Sequence, residues 1–218
     1  MNMYTGDKDE LYFIMSITQD NYANMLKRLD TKSKFSNFVL TYYSIALIVY
    51  AITGKFFPQI YNTLISDYFN IIISIVVLAY SISNSNANYQ ERKRNAENIL
   101  NDVKGLKREL ADSDIKVISE SYQKITYGAE YRSDVDFFRT VKQRCKQLDI
   151  RWYLFKHDLN KIENNIEESK LKKYQKIANY LSEISPFFQQ LKIICDYLLM
   201  LLILIMPVAI FAICILIP

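Results

Sequence analysis

Hydrophobic positions along this chain follow two patterns: three long apolar runs, and polar segments in which apolar residues return every third or fourth position. The first run, Phe35 to Phe57, reads FSNFVLTYYSIALIVYAITGKFF and carries no charge before Lys55. The second, Leu64 to Ser83, has Asp67 near its start, and the third, Tyr197 to Pro218, is uncharged throughout. Each supplies the roughly 20 residues that a helix needs to cross a bilayer. Gly54, Lys55 and Pro58 end the first run, so a short connection makes a hairpin of the first two. Tyr61, Tyr68 and Tyr80 lie near the ends of the second, where interfacial aromatics belong. Pro207 interrupts the third, which is tolerated where neighbours satisfy the freed carbonyl.

The polar segments read as amphipathic helices. Residues 9–30 place Leu11, Ile14, Met15, Thr18, Tyr22, Met25, Leu26 and Leu29 on one face, either packed on a helical bundle or lying in the membrane interface. This stretch is too acidic to be the core of a signal peptide. After the second run, Tyr89, Ala96, Val103 and Leu110 recur every seven residues, with Ile99 and Leu106 between them. That spacing predicts a coiled-coil-like seam that continues the second crossing and forms a candidate oligomer contact. A helix over about 114–127 follows and ends at Gly128. Ser133 with Asp136 reads as a capping box opening a helix through Val135, Phe138, Val141, Cys145, Leu148 and Trp152. A last polar helix, with Leu159, Ile162, Ile166, Tyr174, Ile177, Leu181 and Ile184, runs to the Ser185-Pro186 break.

Four glycines and four prolines leave little material for turns and bulges, so the composition agrees with an all-helical chain. The net charge of +4 comes with interleaved acidic residues and does not point to nucleic acid. Basic residues instead flank the apolar runs, at Lys27, Arg28, Lys32 and Lys34 and at Arg92, Lys93 and Arg94. By the positive-inside rule, the N-terminus and residues 85–192 face the cytoplasm and the C-terminus faces out. Cys145, Cys195 and Cys214 are widely separated, and His157 has no ligand partners at metal-site spacing, so neither a disulfide framework nor a metal site is signalled. No phosphate-binding glycine loop or hydrolase motif occurs, and no catalytic residue or cofactor is expected.

The informative constellation lies in the second run, where Ser66, Asn70, Ser74 and Ser81 share one helix face. An unpaired hydroxyl or amide in hydrocarbon costs roughly 4 to 8 kcal/mol, so this stripe must face another helix or water. It either packs helices together or lines a water-filled path in an oligomer. Thr41 and Ser44 offer a weaker matching face on the first run. Asp196 stands just before the third run, an interfacial acid four residues after Lys192.

The order of parts resembles the SLATT domain, a two-helix membrane effector of prokaryotic conflict and anti-phage operons. The residues that carry the resemblance are the basic approach KRLDTKSKFSNF into YYSIALIVYAI, then IIISIVVLAYSISNSNANYQERKRNAENI, then SYQKITYGAEYRSDVDFF. They cover about residues 20–145, and the third run is additional to the two-helix core. Glu130-Tyr131-Arg132-Ser133-Asp134 stands where the family has an Asn-His pair. The resemblance implies an inner-membrane effector of abortive infection that oligomerises and opens an ion-permeable pore or disrupts the membrane. It also implies an operon-encoded nucleotide-signal synthase or sensor as partner, beside the lipid bilayer and further copies of the chain. The expected fold is an all-α membrane protein: an amphipathic helix in 1–34, a transmembrane hairpin in 35–84, a cytoplasmic helical region in 85–192 and a third membrane helix in 193–218. The competing reading is a non-conducting scaffold whose cytoplasmic helices recruit a soluble partner.

Overall fold

A computed structural model describes residues 8–59, 61–154 and 168–216, with side chains from residue 175 onward in the last stretch. Among the described residues every regular element is an α-helix: α1 Lys8–Phe56, α2 Thr63–Asn86, α3 Tyr89–Glu109, α4 Ile115–Thr126, α5 Asp134–Gln147, α6 Glu168–Glu183 and α7 Pro186–Leu216. The amphipathic segment 9–30 and the first apolar run thus fall on one helix. Nothing between Lys8 and Thr53 is Gly or Pro, and the polar stretch between the two is supported by the Lys34–Asp30 pair at 2.7 Å, one turn apart. The continuity expected from the second run into the seam is interrupted instead. Ala87 and Asn88 separate α2 from α3, and Asn88 takes a φ of 46°, a left-handed value that Asn tolerates. The Ser/Asn-rich sequence around it offers side chains that compete for backbone hydrogen bonds.

The chain divides into two compact units. One comprises residues 1–29 and 91–193, the other residues 30–90 and 194–218. The first is a polar-surfaced bundle with two apolar clusters. Leu11 and Met15 of α1 pack with Val103, Leu110 and Ile118, while Ile17 joins Phe137, Phe138, Val141, Cys145, Ile150, Ile177, Leu181 and Ile184. Two helix termini are built as the sequence predicts: Gly128 follows α4 with φ 74°, and Ser133 and Asp136 form a capping box on α5; Asp114, read only as the start of α4, is its N-cap. Asp136 is fully buried and receives a two-pronged pair from Arg28 of α1, with Nε and Nη2 at 2.8–3.0 Å and Ser133 Oγ at 2.8 Å. One carboxylate therefore both caps α5 and fastens it to α1.

Helix α5 stops at Gln147, short of Leu148 and Trp152, which the apolar periodicity had placed on it. Asp149 adopts φ 57°, its N–H meets the Lys146 carbonyl, and the Ile150 N–H meets the Cys145 carbonyl at 2.8 Å. This is a Schellman ending with Asp where Gly is usual, and it turns Ile150 back into the core while directing Trp152 onto Phe138 and Phe187. In the last polar helix, Leu159, Ile162, Ile166 and His157 lie outside the described residues. Ile177, Leu181 and Ile184 form its buried side, and the Ser185-Pro186 break opens α7.

Candidate functional site

The second unit holds the apolar halves of α1 and α7 together with α2, and three helices of the described chain are long and apolar enough to cross a membrane. Its core comprises Val39, Tyr43, Tyr50, Tyr61, Ile73, Ile210 and Cys214. What holds this apolar unit is a set of tyrosine hydroxyls. Proline at 207 has no N–H, which leaves the Ile203 carbonyl without its partner in the helix. The Tyr43 hydroxyl of α1 donates to that same carbonyl at 2.8 Å, Tyr42 donates to Leu204 O at 3.1 Å, and Tyr50 donates to Pro207 O. A break in one helix is thus sealed by its neighbour, which is how a proline survives where no water can help. Tyr80 and Ser36 share a hydrogen bond of 2.7 Å between α2 and α1. At the hairpin, Asn62 Oδ1 caps α2 through Ile65 N, and Asn62 N donates to Cys214 O at 2.9 Å. Sequence reading placed Tyr61 and Tyr80 only as interfacial aromatics and did not single out Tyr42, Tyr43 or Tyr50. The signal that finds them is a row of Tyr on one apolar run paired with an internal Pro on another.

The polar stripe on α2 is divided in its surroundings. Ser66 is buried and donates to the Tyr61 hydroxyl at 3.2 Å. Asn70 is half-buried, and its Oδ1 is covered without a hydrogen-bond partner among the described residues. Ser74 is exposed and returns its hydroxyl to the Asn70 carbonyl at 2.7 Å, while Ser81 is exposed. Asn84 Oδ1, two heptads beyond Asn70, is likewise covered and unpartnered. On α1, Thr41 and Ser44 are exposed and bond back to Asn37 O and Leu40 O within their own helix. Around the stripe, Leu64, Tyr68, Ile71, Ile75, Val76, Leu78 and Ile82 are all exposed, and only 11% of the apolar stretch that begins in α2 is buried. Asp196 is exposed on α7.

The seam residues have partners inside the chain. Ala96, Val103 and Leu110 are buried, Ile99 and Leu106 are partly so, and four of them (Ile99, Val103, Leu106 and Leu110) pack in the cluster formed with Leu11, Met15 and Ile118; Tyr89 is half-buried. Self-association through these positions requires α1 or α4 to give up that face. No group of three or more His, Cys, Asp or Glu side chains placed to hold a metal occurs among the described residues.

The sequence profile of SMODS and SLOG-associating 2TM effector domain family 5 (SLATT_5) matches residues 7–213, and the chain belongs to that family. The matched span reaches beyond the region of resemblance on both sides and takes in most of α7, so the third apolar helix lies inside the family's domain and not outside it. No curated protein and no solved structure matches the chain.

Proposed function

We propose that this membrane effector acts in anti-phage defence at the inner membrane, where several copies associate through α2 and open an ion-permeable path along its polar face. The observation that carries the reading is the state of that face in a single chain: Ser74 and Ser81 are exposed on it, and the surrounding apolar surface of α2 is the least buried of the three candidate spans. A second copy covers the exposed apolar surface of α2, and water in the resulting path solvates the exposed hydroxyls of Ser74 and Ser81. In this reading the N-terminus and residues 85–192 are cytoplasmic, and the bundle receives the signal of an operon-encoded partner.

A second reading, a non-conducting scaffold, draws on a different observation. Ser66 and Ser74 already satisfy their hydroxyls inside the chain, so those two residues need no water. The test is membrane potential read by a voltage-sensitive dye after induction and during phage infection, comparing the native chain with Asn70→Leu and Ser74→Leu combined. Depolarisation that is lost in an equally abundant, membrane-inserted variant supports the conducting path. A potential that holds through infection while cells are still protected removes it in favour of the scaffold.

A further inference from the structure

The bundle carries a cleft that neither the sequence reading nor the proposed membrane path uses. It lies over α5 and the turn that follows, has a volume of about 550 Å³, and its lining includes Arg139, Lys142, Lys146, Arg151, Trp152 and Tyr153. Arg139, Lys142 and Lys146 are spaced three and four residues apart, so α5 presents them on one face, and the Schellman turn brings Arg151 and the two aromatic rings around to meet them. Four cationic side chains and one carboxylate, Asp149, thus line the cleft. Arg139 and Lys146 have no acidic partner among the described residues, and Lys142 is held by Gln190 Oε1 at 3.0 Å with its Nζ 5.3 Å from the Trp152 ring centre. The Tyr153 ring is 51% exposed beside Trp152, at 5.6 Å and nearly perpendicular to it.

From this arrangement we infer that the cleft binds a small anion that carries phosphate groups joined to a planar ring. Each part of the ligand has its counterpart in the lining. Arg139 and Lys146, two turns apart on one face of α5 and without an acidic partner among the described residues, offer their charge to phosphate groups, which the Arg139 guanidinium meets with two parallel hydrogen bonds. The open Tyr153 face and the half-buried Trp152 offer stacking surfaces for a ring, worth about 1 to 3 kcal/mol for a nucleic-acid base. The volume falls within the range of small-molecule sites, roughly 300 to 1,000 Å³, and the concave shape favours a compact ligand over a polymer. Asp149 sets a limit on charge, since its carboxylate disfavours anions that reach it. The site supplies a trigger for the proposed effector, but it stands on the cleft alone and does not depend on conduction through the membrane helices.

Trp152 is the only tryptophan in the chain, so its fluorescence reports on the cleft directly. The full-length protein in neutral-lipid nanodiscs is titrated with ATP, GTP and cyclic dinucleotides, and in parallel with adenosine, pyrophosphate and vesicles of phosphatidylglycerol. Saturable change in Trp152 emission is expected for at least one ligand that combines phosphate and ring, with adenosine and pyrophosphate each binding at least about tenfold more weakly. Arg139→Ala with Lys146→Ala is expected to raise Kd by at least about tenfold. Tyr153→Ala, which removes an exposed ring and leaves the core intact, is expected to weaken binding of the ring-bearing ligands and spare pyrophosphate. An unchanged Kd in both variants overturns the inference, as does the absence of any saturable response up to about 1 mM across the panel. A response to phosphatidylglycerol vesicles alone also overturns it and assigns the cations to the membrane surface. Because the readout is binding, a silent conductance assay leaves this result intact, and a silent titration leaves the conducting path untouched.

Discussion

The two units of this chain tie their helices together with different groups. The bundle uses charge on charge: Arg28 with Asp136, Arg144 with Asp20 at 2.5 Å, Lys176 with Glu10 at 2.6 Å, and Arg92 with Glu130. The apolar unit uses neutral hydroxyls: Tyr43, Tyr42 and Tyr50 on the carbonyls of α7, Tyr80 with Ser36, and Tyr61 with Ser66. The difference reflects the solvent each unit faces. Where water remains nearby, an ion pair is desolvated only in part, whereas in hydrocarbon an unpaired carbonyl has no fallback and a phenol satisfies it without bringing a charge. The lesson is that in the apolar unit the tyrosines work as backbone partners, and in the bundle the acids and bases work as fasteners between helices.

The largest effect expected from that contrast is at Asp136. Asp136→Ala strips the partner from Arg28, opens the α5 cap and is expected to destabilise the bundle by about 3 kcal/mol, measured by denaturant unfolding followed through Trp152. If the loss is below about 1 kcal/mol, the pair behaves as a surface ion pair and the contrast between the units weakens. In the apolar unit, Tyr43→Phe is expected to cost about 1 kcal/mol by leaving the Ile203 carbonyl unpaired. Pro207→Ala returns an N–H to that carbonyl, so the Tyr43→Phe penalty should largely vanish in a Pro207→Ala background. A double-mutant cycle with no coupling would show that Tyr43 contributes only its ring.

A smaller gain is expected at the end of α5. Asp149→Gly relieves the left-handed backbone and should stabilise the bundle by about 0.5 to 1 kcal/mol while strengthening anion binding in the cleft, read by thermal unfolding and by Trp152 titration. The smallest effect at neutral pH concerns Cys145. Burial pushes its thiol from about 9 up to about 11, so the folded state holds this proton more tightly than the unfolded one. The stabilisation is complete below pH 9 and fades as pH climbs through 11, and burial shifts Tyr22 and Tyr180 in the same direction. Maleimide labelling in the native state at neutral pH should therefore spare Cys145 and modify it only on unfolding, and labelling at the native rate of an exposed thiol would break that account.

The three apolar runs, the helical class, the cap at Ser133 and the helix end at Gly128 were legible from residue order alone. Run length, periodicity and cap chemistry are local properties, and the bilayer and the backbone act on them locally. The polar stripe on α2 was legible as a stripe, because helical spacing alone puts its residues on one face. Which of its members already have a partner was not, since Ser66 depends on Tyr61, while the Asn70 Oδ1 is covered without one among the described residues. The seam in α3 shows the same limit: a heptad states that a face will be covered, and here the cover is α1 and α4.

What the sequence determined by itself is therefore the set of helices and their faces. What only the tertiary structure decided is pairing: Tyr43 of α1 beside the carbonyl freed by Pro207, Arg28 of α1 against Asp136 of α5, and Trp152 brought beside three cations of one helix face by a left-handed Asp149. The physical reason is sequence distance. Each pairing but the last joins residues more than a hundred positions apart, and the last rests on a single backbone angle, so neither propensity nor periodicity carries any record of them.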